Sequence, residues 1–188
     1  MDFDAYTERF LAETTIIAQT IDKDEIVEAI QILEGLKRSG GRLFILGVGG
    51  SAANASHAVN DFRKLAGIEA YSPTDNVAEL TARTNDEGWN TSFRKWLEIS
   101  RIDDNDALLV LSVGGGSEVT SQNIVEAIDL AVSREAKIVA IVSRDGGYAR
   151  LNADACVLVP VVAEERITPH AEGWQGVIWH LMVNAIAK

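Results

Sequence analysis

The 188-residue chain carries 17 Lys and Arg against 28 Asp and Glu, a formal charge of −11, and this length fits one α/β domain without needing a second. So acidic a surface repels phosphodiester backbones and anionic lipid, which excludes nucleic acid and membranes as expected partners and still allows a small anion in a locally positive pocket. The single cysteine, Cys156, rules out a disulfide framework; with no basic–apolar leader and no apolar run near ~20 residues, the expectation is a soluble cytoplasmic protein with a buried, inert thiol.

Phe3, Tyr6, Phe10, Leu11, Thr14 and Ile17 recur near helical spacing and predict a helix over 3–19. An Asp22-x-x-Glu25 capping pattern opens a second helix, and the glycines at 40–41 close it. Four continuous apolar runs rich in β-branched residues follow, at 42–46, 107–113, 137–143 and 155–162; such runs are strands covered on both faces, hence a parallel sheet. Residues 68–73 add a short fifth strand candidate, and helical patterns occupy 51–65, 76–84, 89–100, 121–134 and 171–187. For "TPH" at 168–170 two readings stay open: His170 takes a partial role in the site, or the segment is a turn into the closing helix, with Pro169 near its first turn and His170 exposed. The alternation predicts an α/β fold: a doubly wound open parallel sheet flanked by helices, with two N-terminal helices ahead of the first strand. Because the first helix precedes the sheet instead of crossing over it, its apolar face is expected to seek another subunit.

Ligands of such sheets bind beyond the carboxyl ends of the strands, and the turns richest in glycine and hydroxyls fall there. In the first, Gly47, Gly49 and Gly50 let backbone approach a ligand, and Ser51 stands at a helix start whose free N–H groups attract anions. Ser112, Gly114, Gly115, Gly116 and Ser117 repeat the arrangement after the strand expected from residue 107. The spacing fits neither G-x-G-x-x-G nor G-x-x-x-x-G-K-[ST], so no nucleotide is expected. His57 and Asp61, four apart, share a helix face. If the closing helix lies beside them, His57, Asp61, Glu172 and His180 form a two-histidine, two-carboxylate set suited to zinc or a similar divalent ion. Glu172 and His180 are eight apart, an offset of ~80° at 3.6 residues per turn, so their convergence is left open.

These segments, with "LTARTNDEGW" at 80–89 and "EGWQGVIWH" at 172–180, resemble the sugar-isomerase (SIS) family, specifically the phosphoheptose isomerases, over nearly the whole chain. The resemblance implies a single SIS domain over 1–188 with flavodoxin-like strand order, a homotetramer with sites between chains, and residues 1–40 as a helical pair used in oligomerisation. It implies an aldose–ketose isomerase acting on sedoheptulose 7-phosphate, with one Zn2+ or other divalent ion per subunit. Gly49, Gly50, Ser51, Ser112, Gly115, Ser117, Glu172 and the pair Asn85 and Asp86 match substrate-binding positions. His57, Asp61, Glu172 and His180 match the metal set, and Asp61 and His180 the catalytic base and acid. The sequence departs from the family pattern: Asp61 replaces glutamate, Glu172 replaces glutamine, Val48 replaces asparagine, and Val113 and Gly114 replace hydroxyl residues. The connection "SEVTSQNI" is longer than usual, and only Arg63 and Lys64 stand near the expected basic position. With two imidazoles and two carboxylates balancing a doubly charged ion, tight metal binding is expected. A non-catalytic SIS module, binding a sugar phosphate or a bacterial replication initiator, is the alternative that the same resemblance allows.

Overall fold

Helices α1 (Phe3–Thr20) and α2 (Lys23–Ser39) come first in the computed structural model, which describes all 188 residues. Asp2 and Asp22 cap them, each carboxylate accepting from two backbone N–H groups of the first turn. Glu25 does not reach back to complete a capping box. Its carboxylate accepts the Cys156 amide N–H at 3.0 Å, tying α2 to a strand far along the chain. Gly40 ends α2 with φ 72°, a left-handed conformation that glycine adopts without a Cβ clash.

Strands β1 (Arg42–Leu46), β2 (Glu69–Tyr71), β3 (Ala107–Leu111), β4 (Lys137–Val142) and β5 (Ala155–Leu158) are all parallel, in the order β2-β1-β3-β4-β5. Successive side chains enter opposite cores, as the two-residue period of a strand requires. Leu43, Ile45, Leu109, Leu111, Val139 and Ile141 pack with α2, α3 (Gly50–Asp61) and α8 (Ile167–Ile186). Phe44, Leu46, Leu108, Val110, Ile138 and Val142 pack with α5 (Ser92–Ser100), α6 (Gln122–Ser133) and α7 (Gly147–Asn152).

Several boundaries differ from the sequence reading. The 51–65 helix is α3 followed by a widened π-helical turn, Phe62–Ala66. The 89–100 segment divides into a 3-10 turn, Trp89–Thr91, and α5. α4 (Val77–Glu87) extends past residue 84, and α7 was not foreseen, because "DGGY" reads as a turn. β5 stops at Leu158, short of the expected 162, since Pro160 has no N–H for the ladder. Cys156 is half-buried, and burial pushes its thiol up to about 11, which keeps it protonated and inert.

The reading of "TPH" as a turn with an exposed histidine needs correction. α8 begins at Ile167, where Pro169 fits because first-turn N–H groups have no helical partner, and His170 is buried. Its Nε2 donates to Glu13 at 2.8 Å, while Arg166 grips the same carboxylate with two hydrogen bonds of 2.6 and 2.8 Å. Phe10 stacks on the His170 ring. This cluster ties α1 to the start of α8. The Arg166 hydrogen bond foremost, then that of His170, hold the Glu13 carboxyl down at about 2, against the opposing effect of burial. A depressed carboxylate contributes its full stabilisation above the unfolded value of 4.5 and loses it as pH falls towards 2. Glu13→Gln should therefore melt below wild type at neutral pH, and the gap between the two melting curves should close on acidification through that window.

Candidate active site

Strand order reverses between β1 and β3: the chain leaves β1 for β2 on one side and returns to β3 on the other. The turns after β1 and β3 therefore border the crevice where such sheets take ligands. In the first turn a Cβ on Gly47 would strike the Ser51 backbone, and Gly49 has φ 65°. Ser51 is buried in the first turn of α3. In the second turn the Ser112 hydroxyl accepts the Gly115 N–H at 3.0 Å, and Gly115 and Gly116 have φ of 71° and 86°. Ser117 pairs with the Thr120 hydroxyl and accepts the N–H groups of Val119 and Thr120.

α3 and α8 lie side by side and run in the same direction. Asn54 of α3 donates to the Glu172 carbonyl at 2.9 Å and to Gln175 Oε1 at 3.1 Å. Two turns along α3, His57, Asp61 and His180 converge, with one donor atom of each within 4.8 Å of the others. Both imidazole Nε2 atoms are 3.7 Å from the same oxygen, Asp61 Oδ2. Asn60 donates to the other oxygen, Oδ1, at 2.7 Å, which turns Oδ2 towards the rings. His180 Nδ1 donates to the Gly176 carbonyl at 2.6 Å, so in the neutral ring Nε2 presents its lone pair. Fully buried Trp179 stacks on His180 and meets His57 edge-on, backing one side of each ring while both imidazoles stay exposed to solvent.

This donor set fits a divalent ion. Two imidazoles and one carboxylate are the ligand count of a catalytic zinc site with a position left for substrate, and ligands at ~2.0–2.1 Å on a tetrahedral ion stand ~3.4 Å apart. The Gly176 carbonyl supplies the outer contact that orients a ligating histidine.

Glu172, expected as a fourth ligand, is not in this group. Its carboxylate lies over the first turn of α3, where a Cβ on Gly50 would come within 2.6 Å of its carboxyl carbon. Asn85 and Asp86 are exposed on α4, hydrogen-bonded to each other at 2.7 Å. Arg63 donates to the Ala70 carbonyl and lies over the Tyr71 ring, so it serves β2. Asn54, Asn60, Gln175 and Trp179 support the site without having been foreseen. Asn60 adjoins Asp61 in the sequence, but its bond depends on rotamer, and the other contacts depend on how α8 meets α3.

A parallel sheet in this order, with glycine–hydroxyl turns where the order reverses, is a doubly wound α/β fold with its ligand crevice at the switch point, and the family model described as SIS domain matches residues 5–143. The chain is 31% identical over 168 residues to the phosphoheptose isomerase of Geobacter sulfurreducens, covering 87% of this chain and 84% of that one. It therefore belongs to the phosphoheptose isomerase family of SIS-domain proteins. It is also 30% identical over 189 residues to the lincomycin biosynthesis protein LmbN of Streptomyces lincolnensis, across 94% of this chain and 67% of that one. The structure of phosphoheptose isomerase GmhA from Neisseria gonorrhoeae superposes with a TM-score of 0.83 at 26% identity, covering 98% of each chain.

Elemental analysis of the purified protein should find a divalent ion in one-to-one ratio with the chain. His57→Ala removes one of three donors and should cost roughly tenfold or more in metal affinity, read by competition with a chelator. An affinity equal to wild type would exclude the group as a metal site.

Proposed function

We propose that this chain interconverts sedoheptulose 7-phosphate and D-glycero-D-manno-heptose 7-phosphate, an aldose–ketose isomerisation serving heptose-containing polysaccharide or related products. The convergence of His57, Asp61 and His180 beside the crevice carries this reading. The group lies seven residues along α3 from Gly50, ~10 Å at 1.5 Å per residue. A substrate that meets both the glycine turns and the imidazoles has to be long. A seven-carbon sugar with its phosphate at one end and its carbonyl at the other satisfies that.

The reaction needs a base for the proton on the carbon beside the carbonyl and an acid for the oxygens of the enediol. Asp61 is the proposed base, held by Asn60 so that Oδ2 faces inward, and His180 is the proposed acid, its ring fixed through Gly176. A divalent ion, zinc or a similar one, held by His57, Asp61 and His180 would supply polarisation of the carbonyl and stabilisation of the enediolate, with Asp61 Oδ2 and His180 Nε2 then serving as ligands in place of base and acid. Ser51, Ser112, Ser117 and the backbone of Gly49, Gly50 and Gly115 are proposed to seat the substrate, with Asn85 and Asp86 contributing in the assembled protein. Glu172, over Gly50, is proposed as a substrate contact.

Residues 1–188 are read as one SIS domain that assembles as a cytoplasmic homotetramer. In support, α4 buries no residue of its own, and Phe3, Leu11 and Ile16 on α1 are exposed. No helix is long and apolar enough to cross a membrane. Light scattering should return four times the 20.4 kDa chain mass.

Direct assay with sedoheptulose 7-phosphate tests the activity. Asp61→Asn should lower turnover by roughly a hundredfold or more, the scale of general-base catalysis, with substrate binding retained and metal content measured alongside. Ser51→Ala should instead weaken binding by about 0.5–1.5 kcal/mol. Near wild-type turnover in Asp61→Asn with metal unchanged would remove Asp61 as base. Binding of the sugar phosphate without turnover by wild type would point to a non-catalytic module.

A further inference from the structure

The turn after β4 is joined to the turn after β3 backbone to backbone. Ser143 N–H donates to the Val113 carbonyl, Tyr148 N–H to Gly116, and Ala149 N–H to Gly115, at 2.9 to 3.0 Å. A Cβ on Gly115 or Gly147 would collide with the backbone of the opposite turn. This rigid pair of turns carries Arg144 at its rim, exposed and in the left-handed region with φ 56°. An arginine held there bears a steric cost that glycine would avoid. The conformation aims the side chain across Gly114: a Cβ on Gly114 would have one neighbour, Arg144 Cδ at 3.9 Å.

Arg144 helps line a cavity of about 540 Å³ together with Gly114, Ser117, Thr120, Asp145 and Glu164. It is the single positive group on that wall. Unlike Arg166, which engages Glu13 and Glu165, Arg144 forms no ion pair or hydrogen bond. The Asp145 carboxylate is turned to the Gly147 N–H at 3.1 Å. The nearby hydroxyls carry no charge: Ser112 accepts the Gly115 N–H and keeps its own O–H to donate, and Ser117 pairs with Thr120 and the backbone of its own loop. With two carboxylates on the same wall, the guanidinium is the one full positive charge that favours an anion there, and its planar fork of donors matches phosphate oxygens.

We propose that Arg144 binds the phosphate end of the sugar phosphate, at the cavity edge between Gly114 and Ser117. The inference rests on the sugar-phosphate reading above and adds the group that fixes the phosphorylated end.

The test uses full-length Arg144→Ala and Arg144→Lys, together with the double variant Gly114→Ser/Arg144→Ala. The exposed position of Arg144 and the open space at Gly114 allow all three to fold. In Arg144→Ala, KM for sedoheptulose 7-phosphate should rise about 10- to 100-fold with kcat within about threefold, the scale of a lost charge-assisted contact. Competitive inhibition by inorganic phosphate should weaken by the same factor. Arg144→Lys should fall between, keeping the charge and losing the fork, and the added hydroxyl of Gly114→Ser should recover part of the loss. A KM and a phosphate inhibition constant both within twofold of wild type would overturn the proposal. If wild type turns over no sugar phosphate, the functional reading fails separately. Calorimetric titration with inorganic phosphate then decides Arg144 alone, supporting it if Arg144→Ala binds at least tenfold more weakly and overturning it if the affinities match.

Discussion

Everything chemical in this molecule depends on α8 lying flush against α3. The two helices start at the same edge of the sheet, and their contacts advance together, from Glu172 over Gly50, through Asn54 on Gln175, to His57 and Asp61 beside Trp179 and His180. Small residues permit the approach: Ala55 and Ala58 are fully buried in the core shared by the two helices. Fully buried Trp179 then fills the volume that remains and gives the exposed His57 and His180 rings a fixed wall on one side. The imidazoles are thus positioned by packing, with hydrogen bonds from Asn60 and to Gly176 selecting which atoms face each other.

The start of α8 is itself anchored. Glu13 receives two hydrogen bonds from Arg166 and one from His170, and all three residues are buried. A buried ionic cluster of this kind gives little net stability over an apolar one, since desolvation opposes the attraction, but breaking it leaves a charge unpaired. Its effect here is geometric: it sets the first turn of α8 against α1, and with it the rotational setting of Glu172 and His180. α1 otherwise buries only Ile17 along its length, so the N-terminal helix and the site are linked through one carboxylate.

The site has two poles with different chemistry. Glycine turns and backbone N–H groups at the sheet edge favour anions, and the His57, Asp61 and His180 group favours a cation. The widened turn Phe62–Ala66 begins directly after Asp61, where the helix departs from its regular ladder, a placement common at functional sites.

Much of this was legible in the residues alone. Continuous apolar runs specify buried parallel strands because both faces must be covered, and β1 matches its run to the residue. The glycines of the first two turns mark the crevice because backbone there needs positive φ or close approach, and the four-residue spacing places His57 and Asp61 on one face whatever surrounds them. Periodicity, however, reports neighbours within one element and is silent about partners elsewhere. Only the tertiary structure could bring His180 to Asp61, or bury His170 against a carboxylate 157 residues away. It also decided the fate of Glu172. Helical side chains lean towards the helix start, so Glu172 reaches back to Gly50 while His180, eight residues on, reaches only to the level of Gly176 and meets His57 and Asp61 without it.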